Sequence, residues 1–332
     1  MRLHKAMRFG VGTRRSAMKA LLSGLAGVWG SHAHTQAAYP SRPLRLVVPF
    51  PAGTSPDVIA RLWSERFSRA VGQPVTVDNR PGAGTIIAAQ QVANAPADGY
   101  TLFWTVNNTF SINPFIYKKL PYKNDDFVPI TQILSVPFVL VVAPDSPLRT
   151  LSDLVRRARS QPGVLSYASP GVGTSPHVIM ARLLSTAGAQ MTHVPYKDSF
   201  VPDVMAGRID AVFDASTTAI QMVKDGKLRA LAVSSADRLA DLGDVPTVAE
   251  TYAGFRAESW HGVFAPKAVP DAVVRFVNEH SHPIVQSAEF RKRLGALGLT
   301  PVGSSAAEFK AFLQDDARAW SQVVRANGIV LD

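Results

Sequence analysis

The chain alternates short, almost wholly apolar runs with longer segments whose apolar residues recur every three or four positions. "LRLVVPF" (44–50) precedes "PDVIARLWSERFSRAVG", in which Val58, Ile59, Leu62, Trp63 and Phe67 recur at helix spacing. "VTVDN" (75–79) reads as a strand, "RPGAGT" (80–85) as a glycine-broken turn and "IIAAQQVANA" (86–95) as a helix. "YTLFWT" (100–105) is apolar without interruption, as in a strand buried on both faces. "FVPITQILSVPFVLVVAP" (127–144) predicts two strands. The alternation then resumes: helix "LSDLVRRARSQ", strand "VLSYAS", helix "VIMARLLSTAG", strand "MTHVPY". "DAVFD" and "LRALAVSS" flank the helix-like "AIQMVKDG". Strand–helix–strand order predicts α/β architecture with parallel pairing, because each crossover helix covers a sheet face. The C-terminal part turns helical in "DAVVRFVNEHSHPIVQ" and "AAEFKAFLQDDARAWSQVVRANG", with Gly328 placed to cap the last helix.

No low-complexity linker divides the chain. The apolar runs ending "VVAP" (141–144) and "GVFAP" (262–266) mark two crossings between lobes. They define one lobe of residues 38–142 plus 263–332 and another of residues 143–262.

One phrase occurs twice. "GTSPDVIARL" begins at Gly53 and "GTSPHVIMARL" at Gly173, each behind a strand-like run. In both, glycine turns the backbone, Thr-Ser offers a hydroxyl cap and proline takes an early helix position, where its missing N–H costs nothing. The first-turn amides of each helix are expected to stand free at the C-terminal edge of a sheet, where open α/β folds bind ligands. A helix N-terminus favours an anion by ~0.3–1 kcal/mol, and up to ~2 when partly buried. Two such ends facing one cleft suit a small carboxylate.

Composition changes this picture in three ways. Residues 1–37 carry six basic residues and no acid, then "ALLSGLAGVWG" and a small-residue site before Ala38, the pattern of an export signal. "TRRSAMK" (13–19) fits twin-arginine export as well as ordinary secretion, and either takes the mature protein to the periplasm. The formal charge of +10 less those six leaves about +4 on the mature chain, with no Lys/Arg cluster interleaved with aromatics. Nucleic acid is therefore not an expected partner. The chain has no cysteine, which removes disulfides, thiol nucleophiles and thiolate metal sites together.

The chain resembles the substrate-binding receptors of tripartite tricarboxylate transporters, the Bug proteins. The resemblance runs from Tyr39 to the end and rests on "YPSRPLRLVVPFPAG…DVIARL", "GQPVTVDNRPGAGT", "ADGYTLFW", "INPFIYKKLPY", "LSYASPGVGTSPH", "HVPYK", "GKLRALAVSS", "DVPTVAE" and "SWHGVFAP". It implies a two-lobed, type II-like α/β periplasmic binding protein, each lobe a mostly parallel sheet flanked by helices, closing on a ligand between the lobes. By matched position, the ligand contacts would be Phe50, Ala52, Gly53, Thr54, Ser55 and Asp57 of the first loop. Gly171, Gly173, Thr174, Ser175 and His177 of the second loop would join them, with Thr109 and Asp214. The implied ligand is a small organic acid: a dicarboxylate, tricarboxylate, aromatic carboxylate or amino acid. The implied partners are the permease subunits of such a transporter, the receptor itself acting as a monomer without a cofactor. A sensor kinase reading the same cleft is an alternative partner.

Three departures bear on the ligand. Thr54 stands where the family usually has a second glycine. Ala181 and then Arg182 stand where an acid is common. "DSFVPDVMAGRID" is shorter and bulkier than the family's turn, with Asp198 and Phe200. These leave room for an aromatic or otherwise unusual carboxylate.

An exported hydrolase is the rival from another class. Ser175 and His177 lie two residues apart, but no G-x-S-x-G elbow is present, and neighbours on one helical turn are poorly placed as nucleophile and base. No catalytic residue is expected. "RPGAGT" lacks a P-loop lysine and the spacing of a dinucleotide fingerprint. His280 and His282 would face different sides of a helix, and no acid or histidine cluster has metal-ligand spacing. Asp57 serves equally as a dipole-complementing acid or as an acceptor for a ligand group, and His177 as a satisfied histidine or a carboxylate donor. Trp260, in the returning segment, is placed to sense closure.

Overall fold

Strand β1 (Leu44–Val48), helix α1 (Ser55–Val71) and strand β2 (Val75–Asn79) open the described part of the chain, residues 39–331 of the computed structural model. The export signal read over residues 1–37 lies outside the described residues. Ile59, Trp63 and Phe67 face inward, whereas Val58 stays exposed and Leu62 half-buried, and Gly72 closes α1 in the left-handed region at φ 69°. Helix α2 (Ile86–Ala93) and strand β3 (Thr101–Val106) follow. A π-helical turn over Asn108–Ile112 then leads into the short α3 (Asn113–Ile116).

The long strand β4 (Phe127–Val136) passes through Pro137 directly into β5 (Phe138–Val142). Proline has no N–H to continue the ladder, so the run breaks there and changes sheet. Helix α4 (Leu151–Ser160), strand β6 (Ser166–Ser169), helix α5 (Ser175–Ala187) and strand β7 (Thr192–Pro195) come next. They are followed by α6 (Val201–Met205), β8 (Val212–Ala215), α7 (Ser216–Lys224) and β9 (Arg229–Val233). Strand β10 (Ser259–Pro266) returns to the first sheet, and α8 (Asp271–Gln286), α9 (Ala288–Gly295), β11 (Thr300–Pro301) and α10 (Ala306–Ala326) complete the chain.

The first sheet has six strands in the order β11-β4-β10-β3-β1-β2. The expected parallel pairing is found between β1 and β2 and between β1 and β3. Strand β10 enters antiparallel between β3 and β4, because the chain arrives there from the far sheet rather than through a covering helix. The remaining strands repeat the plan. β6 and β7 are parallel, β5 runs antiparallel between β8 and β9, and a parallel bridge from Tyr167 to Ala211 joins the two groups. The molecule is thus mixed α/β, with a parallel trio at one side of each sheet.

Two cores sit on these sheets. Phe103, Phe110, Phe127, Phe264, Phe309 and Trp260 pack together on the first. Val139, Val141, Val212, Ile209 and Ile220 fill the second. Among the described residues no helix is long and apolar enough to cross a membrane.

Candidate functional site

The two copies of the repeated phrase fold into the same turn. Thr54 and Thr174 precede their helices at φ −73°, ψ 158° and φ −72°, ψ 157°, and Gly53 and Gly173 are left-handed at φ 82° and 77°. Each threonine hydroxyl donates backwards, to the carbonyl of Pro51 or Gly171, at 2.7 Å in both cases. The hydroxyl cap expected from the sequence is therefore not formed at either helix. The glycine amides are not free either. Gly53 N–H donates to Asp57 Oδ2 at 2.8 Å, and Gly173 N–H to His177 Nδ1 at 3.0 Å. The residue four positions on thus secures the turn in both copies, which accounts for a carboxylate and an imidazole at matching places.

Asp57 is buried and takes further donors: Asn79 Nδ2 at 2.8 Å, and Arg61 Nε at 3.1 and 2.9 Å to its two oxygens. Asn79 also holds the Phe50 carbonyl at 2.9 Å, tying both ends of the loop to β2. Burial pushes the Asp57 pKa up, but hydrogen bonds from Arg61, Asn79 and Gly53, with the Arg61 charge, hold it below the usual carboxylate range. In Asp57→Asn a single amide oxygen must serve donors that now share two. The expected cost is about 1–2 kcal/mol, read as a lowered urea midpoint at unchanged m-value.

His177 is secured differently. The inserted Met180 shifts the second arginine to position 182, so Ala181 stands four residues after His177 where Arg61 stands after Asp57. One residue is about 100° around a helix, and Arg182 accordingly turns away. It donates to the Arg256 carbonyl at 2.6 Å and lies over the Phe255 ring. With no cation at hand, the acceptor in this turn is a neutral ring. His177 stacks on His193 with centroids 4.0 Å apart, and Tyr167 stacks on His193 at 4.9 Å. Burial, and secondarily the charge of His193, pulls His177 down to about 4. Ser169 Oγ lies 2.7 Å from His193 Nε2 beneath the turn.

Both turns come to one edge of the six-stranded sheet. β1 and β3 are parallel neighbours, so Phe50–Asp57 and the residues after Val106 leave the sheet at the same edge. Asn108 Nδ2 donates to the Gly173 carbonyl at 3.0 Å, bringing the second turn there. Ser175 Oγ lies 3.2 Å from Asn107 Oδ1 and 3.3 Å from Asn108 Oδ1, and Ser259 Oγ donates to Asn107 Oδ1 at 2.6 Å. Asn107 Nδ2 is buried and has no partner among the described residues. Ala52, Gly53 and Ser55 are exposed, whereas Gly173, Ser175 and His177 are buried.

Thr109 and Asp214 have local duties. Thr109 is fully buried; its hydroxyl meets Thr105 at 2.6 Å and Thr85 at 2.8 Å, and its carbonyl accepts from Tyr122. It fixes the turn that carries Asn107 and Asn108. Asp214, at the end of β8, accepts from Thr218 Oγ1 at 2.7 Å and the Ala215 amide at 2.9 Å. Burial pushes its pKa up against those two bonds. Trp260 is core, its Nε1 donating to the half-buried Asp316 at 2.7 Å. "RPGAGT" forms a turn whose Gly84 carbonyl accepts from Asn113 at 2.8 Å. Among the described residues no group of three or more His, Asp or Glu side chains is placed to hold a metal ion.

The fold is that of the periplasmic solute-binding receptors. Residues 59–329 match the model of the tripartite tricarboxylate transporter family receptor, and the chain belongs to that family. Protein BugT of Bordetella pertussis is 34% identical over 298 residues, which are 88% of this chain and 91% of the relative. An R. palustris protein solved with adipate is 32% identical with a TM-score of 0.79, over 88% of this chain and 99% of that one. MatC from Rhodopseudomonas palustris, solved with bound malate, is 28% identical with a TM-score of 0.74, over 86% of this chain and 100% of that one. The family is one of periplasmic solute-binding receptors rather than of enzymes.

Proposed function

We propose that the chain captures a small organic carboxylate in the periplasm, between a lobe of residues 38–142 plus 263–332 and a lobe of residues 143–262. It then presents the ligand, as a monomer, to the permease subunits of a tripartite tricarboxylate-type transporter. The observation that supports this reading is that two turns of the same shape come to one sheet edge, with the unpartnered Asn107 amide buried beside the second. The adipate and malate held by two relatives of this fold support a carboxylate as ligand.

With the glycine amides already engaged, the donors left for an anion are the first-turn amides of α1 and α5 and the Asn107 side chain. Hydrogen bonds to a charged group contribute roughly 1.5–3 kcal/mol each, enough for capture without a buried cation. The first turn is exposed and receives the ligand; the second, packed here on Asn107 and Asn108, swings away to admit it and returns to this position by rotation about the paired crossings, a motion common to hinged binding proteins.

The test is a thermal-shift screen of the mature protein against adipate, malate, citrate, benzoate and amino acids. At a concentration of about 100 Kd the bound acid should add about 2.7 kcal/mol. Stabilisation by neutral sugars with none by acids would overturn the reading.

A further inference from the structure

A groove of about 480 Å³ runs between α1 and α9. Its walls are Val58, Leu62 and Leu297, and Val58 is 47% exposed. Lys292 and Arg293 stand on its rim, both exposed, and neither makes an ion pair among the described residues. The rim's acid, Glu289, is neutralised by Arg66 at 2.5 Å. The groove is thus an apolar trough under uncompensated positive charge.

We propose that this groove is the docking site for an acidic, apolar-bearing segment of the membrane protein that receives the ligand, an inference that rests on the receptor reading above. The trough has the chemistry of a helix-in-groove or strand-in-groove seat, where apolar anchors fill the floor and opposite charges set orientation. A second copy of this chain is disfavoured as occupant, because two such rims would meet cation against cation. A small carboxylate is disfavoured by the apolar floor.

The groove is also mechanically tied to both parts of the ligand site. Val58 directly follows Asp57 on α1. Gly298, just past α9, is wedged against α7, the helix that begins after Asp214: a Cβ on Gly298 would lie 2.3 Å from Ile220 Cδ1 and 3.0 Å from Ser216 Cβ. The groove's Leu297 thus lies next in sequence to a residue packed tightly on α7.

The experiment replaces Val58 by photo-reactive benzoylphenylalanine in the full chain, irradiates intact cells of the parent organism and identifies adducts by mass spectrometry. The expected adduct is with an integral membrane protein, at an acidic segment, and its yield falls at least tenfold in the Lys292→Glu/Arg293→Glu background. The Lys292→Ala/Arg293→Ala pair gives the same comparison should the reversed pair fail to fold. No adduct, an adduct with lipid or with a second copy, or a yield indifferent to the charge changes overturns the proposal. A carboxylate thermal shift without the adduct removes only the docking site, and the adduct without the shift removes only the carboxylate reading.

Discussion

Replacing His177 by Asp is expected to reverse the pH dependence contributed by this position between about pH 4 and 6.5, and to cost about 3–5 kcal/mol at neutral pH. In the native protein the imidazole is neutral, accepts the Gly173 amide and is held down to about 4. An unfolded histidine titrates near 6.5. As pH falls from about 6.5 the unfolded chain takes up a proton that the native state refuses, so this stability is full above about 6.5 and is lost as pH falls through about 4. The fully buried His261, pulled down to about 3 by burial alone, adds a slope of the same sign.

An aspartate at 177 reaches the same amide, since Asp57 does so from a backbone of the same shape. It would lack what Asp57 has, however: Ala181 replaces the arginine four residues on. Burial without a cation raises the carboxyl's folded pKa above its unfolded value near 3.9. Stability at this position would then be present below about pH 4 and lost as pH rises. His177→Asn, neutral and likewise missing the ring stack, is the reference. Urea unfolding of the native protein, His177→Asn and His177→Asp across this pH range checks the result. Equal slopes for the two variants would show that charge is not what selects histidine here.

That contrast shows what was legible in the chain. The repeated phrase specified two turns of one shape because glycine, threonine and proline act through local dihedrals, and the two turns agree to within a degree at the threonine. Their securing by residues 57 and 177 was also local, written as a glycine followed four positions later by an acceptor. The spacing alone does not separate that duty from the others open to these side chains, a dipole-complementing or ligand-accepting Asp57 and a satisfied or carboxylate-donating His177. The Asn107–Asn108 pair carried a fainter signal, two amides ending an apolar strand. The π-helical turn that presents them is imposed by Thr85 and Tyr122, distant in sequence, and no window around it holds that information. Strand direction was hidden for another reason: an apolar run looks the same in either sense, so β10 could not announce that it returns antiparallel. Helix α9 leaves no periodic pattern in the sequence, because only Phe290 and Leu294 are buried on it.

The other large effect concerns the second turn's glycine. Gly53 and Gly173 share a left-handed conformation, which disfavours any side chain by about 1–2 kcal/mol. A Cβ on Gly53 meets nothing within 4 Å, whereas one on Gly173 would lie 2.4 Å from Ile116 Cδ1, and Ile116 is itself buried. Gly53→Ala is therefore expected to cost about 1–2 kcal/mol, and Gly173→Ala about 2–5, the difference being the overpacking of a filled site. Relief is expected to be specific. Ile116→Val removes the obstructing methyl and alone costs about 0.5–1.5 kcal/mol. Combined with Gly173→Ala it should recover most of the excess, giving a favourable coupling in a double-mutant cycle. The same clash pushes the second turn away from Asn108, so Gly173→Ala should also lose carboxylate-induced stabilisation that the double variant regains. Additive costs, or a Gly53→Ala penalty as large as that of Gly173→Ala, would mean that the close approach of the second turn to α3 does not hold the two halves of the site together.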